Sequence, residues 1–299
     1  MAPRPFRFGV VAAQARSGAE WVASAQRAEA LGYATFVIPD TLGQTLAPLP
    51  ALAAAAAATR SIRLGTYVLA NDFRNPVLVA REAATIDFLS GGRFELGLGA
   101  GRPSAAEDCR KLGLPFDSGG QRVARLAEAL SIVKALLSGQ RATATGPRYA
   151  VADADVFPRP IQQPRPPILV AGSGQRLLTL AAREADIVAL GVGPDATESV
   201  VAEKIGWLRQ AAGDRFEQLE LNMNMLAVAD QVPAWLPARP GFDIAQLARS
   251  GSLAVLMGTT DEMCNQLLER REALGISYVT ISEGDKEVFA PVVERLAGR

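Results

Sequence analysis

The segments Ile62-Arg-Leu-Gly-Thr-Tyr-Val-Leu-Ala70 and Arg93-Phe-Glu-Leu-Gly-Leu-Gly-Ala-Gly101 flank Asn75-Pro-Val-Leu-Val-Ala-Arg-Glu-Ala-Ala-Thr-Ile-Asp-Phe-Leu-Ser-Gly-Gly92. Two apolar stretches of strand length enclose one of helix length. Asn75 suits a helix N-cap, and Pro76 suits the first turn, where an N–H has no helical acceptor. Gly91 and Gly92 end the helix, because glycine enters the left-handed region without a Cβ clash. Strand, crossover helix and strand within about 40 residues make a parallel βαβ unit. The second strand carries Gly97, Gly99 and Gly101 at alternate positions. Glycine weakens a strand, so three of them predict that something approaches the backbone closely. A bound planar cofactor would do so; close packing at a barrel rim is the other reading. A dinucleotide fingerprint fits poorly, since the spacing is Gly-x-Gly-x-Gly and Pro103 stands where a helix should open.

Outward from this unit the alternation continues. Residues 6–11 form a strand, and Ser17-Gly-Ala-Glu20 is a capping box that opens a helix stopped by Gly32. Residues 36–38 form a strand running into Pro39-Asp40-Thr41, and 50–59 an alanine-rich helix that could pack on the sheet or on another subunit. After Gly101 come a long helix (121–137) and strands at 167–171, 187–190, 219–228 and 278–281, with helices between and after them. Thr259-Thr-Asp-Glu262 is a second capping box, and its helix stops at Gly275. The segment Glu29-Ala-Leu-Gly-Tyr-Ala-Thr-Phe-Val-Ile38 is echoed by Glu272-Ala-Leu-Gly-Ile-Ser-Tyr-Val-Thr-Ile281. Eight strands, each followed by a helix, predict an α/β fold: a (β/α)8 TIM barrel in one domain over 1–299. Irregular insertions are expected after strand 4 (about 102–120 and 141–166) and after strand 7 (about 230–258). The site of such a barrel lies at the carboxyl ends of its strands, here 11–13, 40–41, 67–71, 99–102, 172–174, 191–193, 227–230 and 282–284.

Composition narrows the chemistry. The 299 residues are 49% hydrophobic with zero formal net charge, so no global basic bias points to nucleic acid or anionic membrane. The longest apolar run, 46–58, is too short to span a bilayer, and no apolar core of a signal peptide follows the amino terminus. A cytoplasmic protein is expected. Cys109 and Cys264 lack metal-ligand spacing, and no metal site is expected. There is no histidine, which excludes Ser-His-Asp and Cys-His catalysis and any histidine-ligated metal. Carboxylates, hydroxyls, arginine, backbone groups or a cofactor must do the work.

Three segments together resemble the bacterial luciferase-like superfamily of flavin and deazaflavin enzymes. They are Leu64-Gly-Thr-Tyr-Val-Leu69 with Arg74-Asn-Pro-Val77, then Ser90-Gly-Gly-Arg-Phe-Glu-Leu-Gly-Leu-Gly-Ala-Gly101, and the helix from Arg122 to Leu137. The pattern is most similar to the branch that uses coenzyme F420. The resemblance implies a bulge after the third strand, Tyr67-Val68-Leu69, with a non-prolyl cis peptide between Tyr67 and Val68 that props the flavin ring. It also places Asp40 near the deazaflavin's polar edge and Gly99, Ala100 and Gly101 against the ring or tail. Gly172, Ser173 and Gly174 open a helix whose free N–H groups suit a phosphate. Each residue has a plainer reading: Asp40 as a turn cap, Tyr67 as a core aromatic, Ser173 as an N-cap, Arg102 as a solvated charge.

Two departures stand out. Family members that oxidise sugar phosphates carry a histidine directly after the aspartate and a glutamate directly after the glycine strand; here these are Thr41 and Arg102. Sugar-phosphate dehydrogenation is therefore not expected, no acid or base is assigned, and Thr41, Asn71 and Arg102 are the candidates for orienting substrate. The expected activity is F420-dependent hydride transfer between the deazaflavin C5 and a small organic substrate. The alternatives are an FMN-dependent two-component monooxygenase and a non-catalytic flavin-binding protein. A homodimer is implied by the family's habit of pairing through helices beside the second and third strands.

Overall fold

The strands close on themselves. In the computed structural model, which describes residues 3–229 and 244–299, eight parallel strands pair in the cycle β1 (Arg7–Val11), β2 (Thr35–Ile38), β3 (Arg63–Thr66), β4 (Phe94–Gly99), β5 (Ile168–Gly172), β6 (Ile187–Leu190), β7 (Glu220–Asn224) and β8 (Ile276–Ser282), with β8 returning to β1. Between and after them run α1 (Gly18–Ala30), α2 (Pro48–Ala58), α3 (Pro76–Leu89), α4 (Gly119–Leu137), α5 (Gln175–Glu184), α6 (Glu198–Ala212), α7 (Thr260–Leu274) and α8 (Lys286–Leu296). This is the (β/α)8 TIM barrel expected from the strand count.

Local chemistry sets the helix ends. Ser17 Oγ accepts from the Glu20 N–H at 3.1 Å, and Asn75 Oδ1 from the Val77 N–H at 2.9 Å. At α7 the capping box is reciprocal: Thr259 Oγ1 accepts from the Glu262 N–H, and Glu262 Oε2 from the Thr259 N–H. Gly275 then ends the helix in the left-handed conformation, φ 73°. The alanine-rich α2 packs within the chain: Ala51, Leu52, Ala55 and Ala56 are buried, and the Trp21 indole N–H donates to the Ala51 carbonyl at 2.7 Å.

Alternation along each strand separates two cores. Phe8, Phe36, Leu96, Val170, Val188, Met223 and Val279 join the large cluster between barrel and helices. Residues of the other parity fill the barrel: Leu169, Ile187, Ala189 and Tyr278, against Tyr67, Val68 and Ala171. At the amino-terminal end the interior is ionic. Arg7 bridges Glu95 and Glu220, each at 2.6 Å, Arg63 adds a second bond to Glu95 at 2.5 Å, and the Arg7 guanidinium lies 4.0 Å over the Tyr278 ring. The barrel interior is thus packed at its lower end.

The insertions carry more structure than expected. The 102–120 stretch holds a short helix, Ala105–Lys111, and 141–166 holds an antiparallel hairpin, Ala142–Thr145 with Ala150–Ala154. Its alanine-rich, short strands give little period-2 signal in sequence. The single strand expected over 219–228 is split. Glu220–Asn224 stays in the barrel, whereas Ala227–Val228 leaves it to pair with Val255–Leu256. Within the insertion expected at 230–258, Ile244–Arg249 is helical; residues 230–243, including the strand-end position Asp230, lie outside the described residues.

Candidate functional site

Beyond Thr66 the chain leaves β3 in a bulge, and the peptide between Tyr67 and Val68 is cis, as the family resemblance implies. Leu69–Ala70 then rejoins the sheet beside Leu98 and Gly99. The bulge is braced from below. The Tyr67 hydroxyl donates to Asn222 Oδ1 at 2.6 Å and accepts from Thr280 Oγ1 at 3.4 Å, and burial pushes the Tyr67 phenol up to about 12. It is braced from the side by Asp40, whose Oδ2 accepts from the Ala70 N–H at 3.1 Å and from the Arg74 guanidinium. Asp40 is therefore a structural anion whose charge is already paired.

The bulge explains two of the three strand glycines. A Cβ on Gly97 would lie 2.0 Å from the Thr66 carbonyl oxygen, and one on Gly99 2.6 Å from a Val68 methyl. What approaches the β4 backbone is the chain's own bulge, so the barrel-rim reading holds for both. Gly101 differs: its φ of 78° is the reason for glycine, and it turns the chain away from the strand. Arg122 in the first turn of α4 fixes that exit. It donates to the carbonyls of Ala100 at 2.9 Å, Gly101 at 3.3 Å and Asp117 at 2.6 Å, and its guanidinium lies 4.0 Å over the Phe116 ring.

Above the bulge opens a cleft of about 770 Å³, lined from the carboxyl ends of β2 to β7. It brings together Asp40, Thr41, Tyr67, Val68, Leu69, Gly99, Ala100, Gly101, Arg102, Gly172, Ser173 and Gly174. Its floor is the apolar bulge. On one side Gly174 caps α5 in an extended conformation with no side-chain cap, so among the described residues the first N–H groups of that helix, at the cleft edge, have no partner. Ser173 is not the N-cap; its hydroxyl is exposed, and its carbonyl accepts from Lys204 Nζ at 2.7 Å. On the other side Arg102 donates to Thr41 Oγ1 at 3.2 Å, so the two departures from the sugar-phosphate pattern touch each other.

Asn71 is not in the cleft. It is buried in the turn after the bulge, where its amide donates to the Tyr149 hydroxyl at 3.3 Å and ties loop to loop. The ends of β1 and β8 do not line the cleft either. Several lining residues escaped sequence reading: Gln175, Arg176 and Leu177 of α5, Arg122, and Asn224 with Leu226 after β7. Arg122 had a signal, since a charged residue stands on the apolar stripe that continues at Leu126, Leu130 and Val133. Asn224 had none. Its buried Oδ1, in the lining of the cleft, has no hydrogen-bond partner among the described residues.

Likenesses to known proteins fit this geometry. The chain is 38% identical over 167 residues to the F420-dependent glucose-6-phosphate dehydrogenase of Beutenbergia cavernae, covering 53% of this chain and 48% of that one. To the enzyme of the same name from Nakamurella multipartita it is 32% identical over 236 residues, 75% of this chain and 68% of the other. The chain spans about half the length of most relatives of that name. In fold it matches the coenzyme F420 dependent tetrahydromethanopterin reductase of Methanopyrus kandleri with a TM-score of 0.79 at 19% identity, over 98% of this chain and 100% of that one. The sequence profile of luciferase-like monooxygenases covers residues 5–234, which include the bulge, the glycine strand and the α5 amino terminus, and the chain belongs to that family.

Proposed function

We propose that this protein is an F420-dependent oxidoreductase that passes a hydride between the deazaflavin C5 and a small organic substrate. One observation carries the reading: a cleft with an apolar bulge for a floor ends at a helix amino terminus whose N–H groups have no partner among the described residues. A planar ring laid on Val68 would point its anionic tail at Gly172, Ser173 and Gly174, with Arg176 beside them. The orphaned Asn224 Oδ1 offers the ring or the substrate an acceptor. The residues fit the group. When bound, F420 supplies the two-electron chemistry; the protein orients it and keeps water from the ring.

The site does not favour glucose 6-phosphate, the substrate in the relatives' name. Thr41 and Arg102 hold the positions of the missing acid and base, and the cleft's carboxylates, Asp40 and Asp108, are bonded to Arg74 and to the Leu42 N–H. The reading includes a cytoplasmic homodimer with no nucleic-acid or membrane partner. The exposed apolar side chains Leu78, Phe88 and Leu89 of α3, with Ile161 beside Gly92, support a pairing face there. No helix among the described residues is long and apolar enough to cross a membrane.

The test is titration of the apoprotein with oxidised F420 and, separately, FMN, followed by turnover assays with bound F420. Micromolar or tighter F420 binding with negligible FMN binding, and no turnover of glucose 6-phosphate, is the expected result. The opposite preference would replace the reading with an oxygen-using monooxygenase. Tight binding with no turnover on a broad panel would leave a flavin-binding protein without catalysis.

A further inference from the structure

Apart from Arg176 beside the α5 amino terminus, the arginines around the cleft divide into two kinds. Arg74 is paired with Asp40, Arg125 with Asp72 and Asp117, and Arg148 with Asp117. Arg122 spends its donors on carbonyls. Arg102 has no carboxylate partner among the described residues; its one side-chain bond is to the neutral hydroxyl of Thr41. A guanidinium carries five N–H donors in a fixed fork, so most of those on Arg102, which lines the cleft, have no partner among the described residues. Its side chain is exposed, but the backbone that carries it is anchored. It follows Gly101, and the carbonyls of Ala100 and Gly101 behind it are held by the buried Arg122, so the backbone that aims it is fixed.

Resting on the F420 reading above, we propose that Arg102 is a substrate-anchoring residue and that the substrate is a small carboxylate. The guanidinium would grip its two oxygens, and the Thr41 hydroxyl would both steady the guanidinium and add a donor. Three arguments select this occupant. A fork of parallel N–H groups matches the two oxygens of a carboxylate. One cation with one hydroxyl suits a monoanion, whereas a phosphate dianion has the α5 amino terminus and Arg176 on the other side of the cleft. Among the described residues the carboxylates lining the cleft, Asp40 and Asp108, are already bonded, so this part of the mouth suits an anionic handle better than deprotonation of an alcohol.

The test is calorimetric titration of the protein, with and without saturating oxidised F420, using benzoate, phenylacetate and cinnamate, the matching amides, and phenyl phosphate. At least one acid should bind about tenfold or more tightly than its amide, as expected for a charge-assisted bidentate contact. Arg102→Gln should abolish that preference while F420 affinity stays within about twofold, and Arg102→Lys should restore it only in part, keeping charge without the fork. A thermal melt of each variant checks that it folds. Three results would overturn the proposal: no acid preferred over its amide, an Arg102-dependent preference for phenyl phosphate, or a tenfold loss of F420 affinity in Arg102→Gln, which would assign Arg102 to the cofactor. Failure of the wild type to bind F420 would instead sink the oxidoreductase reading, while the acid-against-amide comparison on the apoprotein would still decide the role of Arg102.

Discussion

A Cβ at Gly97 would meet a backbone carbonyl at 2.0 Å, whereas one at Gly174 would meet nothing within 4 Å. The two glycines therefore serve different purposes. The first makes room for the bulge; the second leaves a helix end bare. Gly97→Ala is expected to destabilise the fold by about 3 kcal/mol or more, because backbone and not a pliable side chain must move. Gly174→Ala should cost about 1 kcal/mol at most, the usual difference between these residues at an N-cap. Urea unfolding of both variants decides the matter, and equal losses would remove the steric account of the glycine strand. The sequence showed that the β4 glycines were unusual but not why, since Thr66 and Val68 come to lie over them only through tertiary packing.

At the scale of elements, caps and stops were legible because their chemistry is local. Ser17, Asn75 and Thr259 bond the first turns of their own helices, and Gly275 ends α7. Elements held by distant partners were not. The 142–154 hairpin, weakly patterned in sequence, is tied to α4 through Glu128, which accepts from the Arg148 and Tyr149 N–H groups, and Ala227–Val228 pairs with a strand 28 positions further along the chain (Ala227 with Val255). The α4 helix joins both cases: its length was clear from its stripe, but the task of Arg122, clamping the exit of β4, was not. Arg122→Met should keep most of the side chain's packing and leave the Ala100 and Gly101 carbonyls without it, at a cost of about 1–3 kcal/mol. F420 affinity should fall severalfold in the same variant. Full F420 affinity in a destabilised Arg122→Met protein would show that the clamp serves the fold alone.

At the scale of the molecule, the barrel is closed below by charge and open above. Glu95 is 5% exposed. Burial alone would raise its pKa, but the guanidinium groups of Arg7 and Arg63 outweigh that and hold the carboxyl below its usual range. A depressed carboxyl stabilises the fold fully above its ordinary pKa, and this stability is lost as pH falls through the lower, folded value. Glu95→Gln should therefore cost about 3 kcal/mol at neutral pH, where it takes the carboxylate from half-buried Arg63 and leaves Arg7 with Glu220 alone, and the gap to wild type should narrow as the solution is acidified below about pH 4. Urea midpoints at pH 7 and pH 3.5 would show it; a gap independent of pH would mean that packing, not charge, is lost. By itself the sequence determined the barrel, since eight strand–helix repeats with their stops are local patterns, and it determined most of the cleft, since residues after parallel strands must gather at one end. Only the tertiary structure decided which of those residues are spent. Asp40 is paired to Arg74, Asn71 is turned to Tyr149, and Gly97 and Gly99 lie under the bulge, while among the described residues Arg102 meets only the Thr41 hydroxyl and Asn224 and the α5 amino terminus have donors or acceptors without a partner. The reason is physical: a charge or a hydrogen-bond donor is available to a ligand only if no neighbour has taken it, and those neighbours lie tens of residues away in the chain.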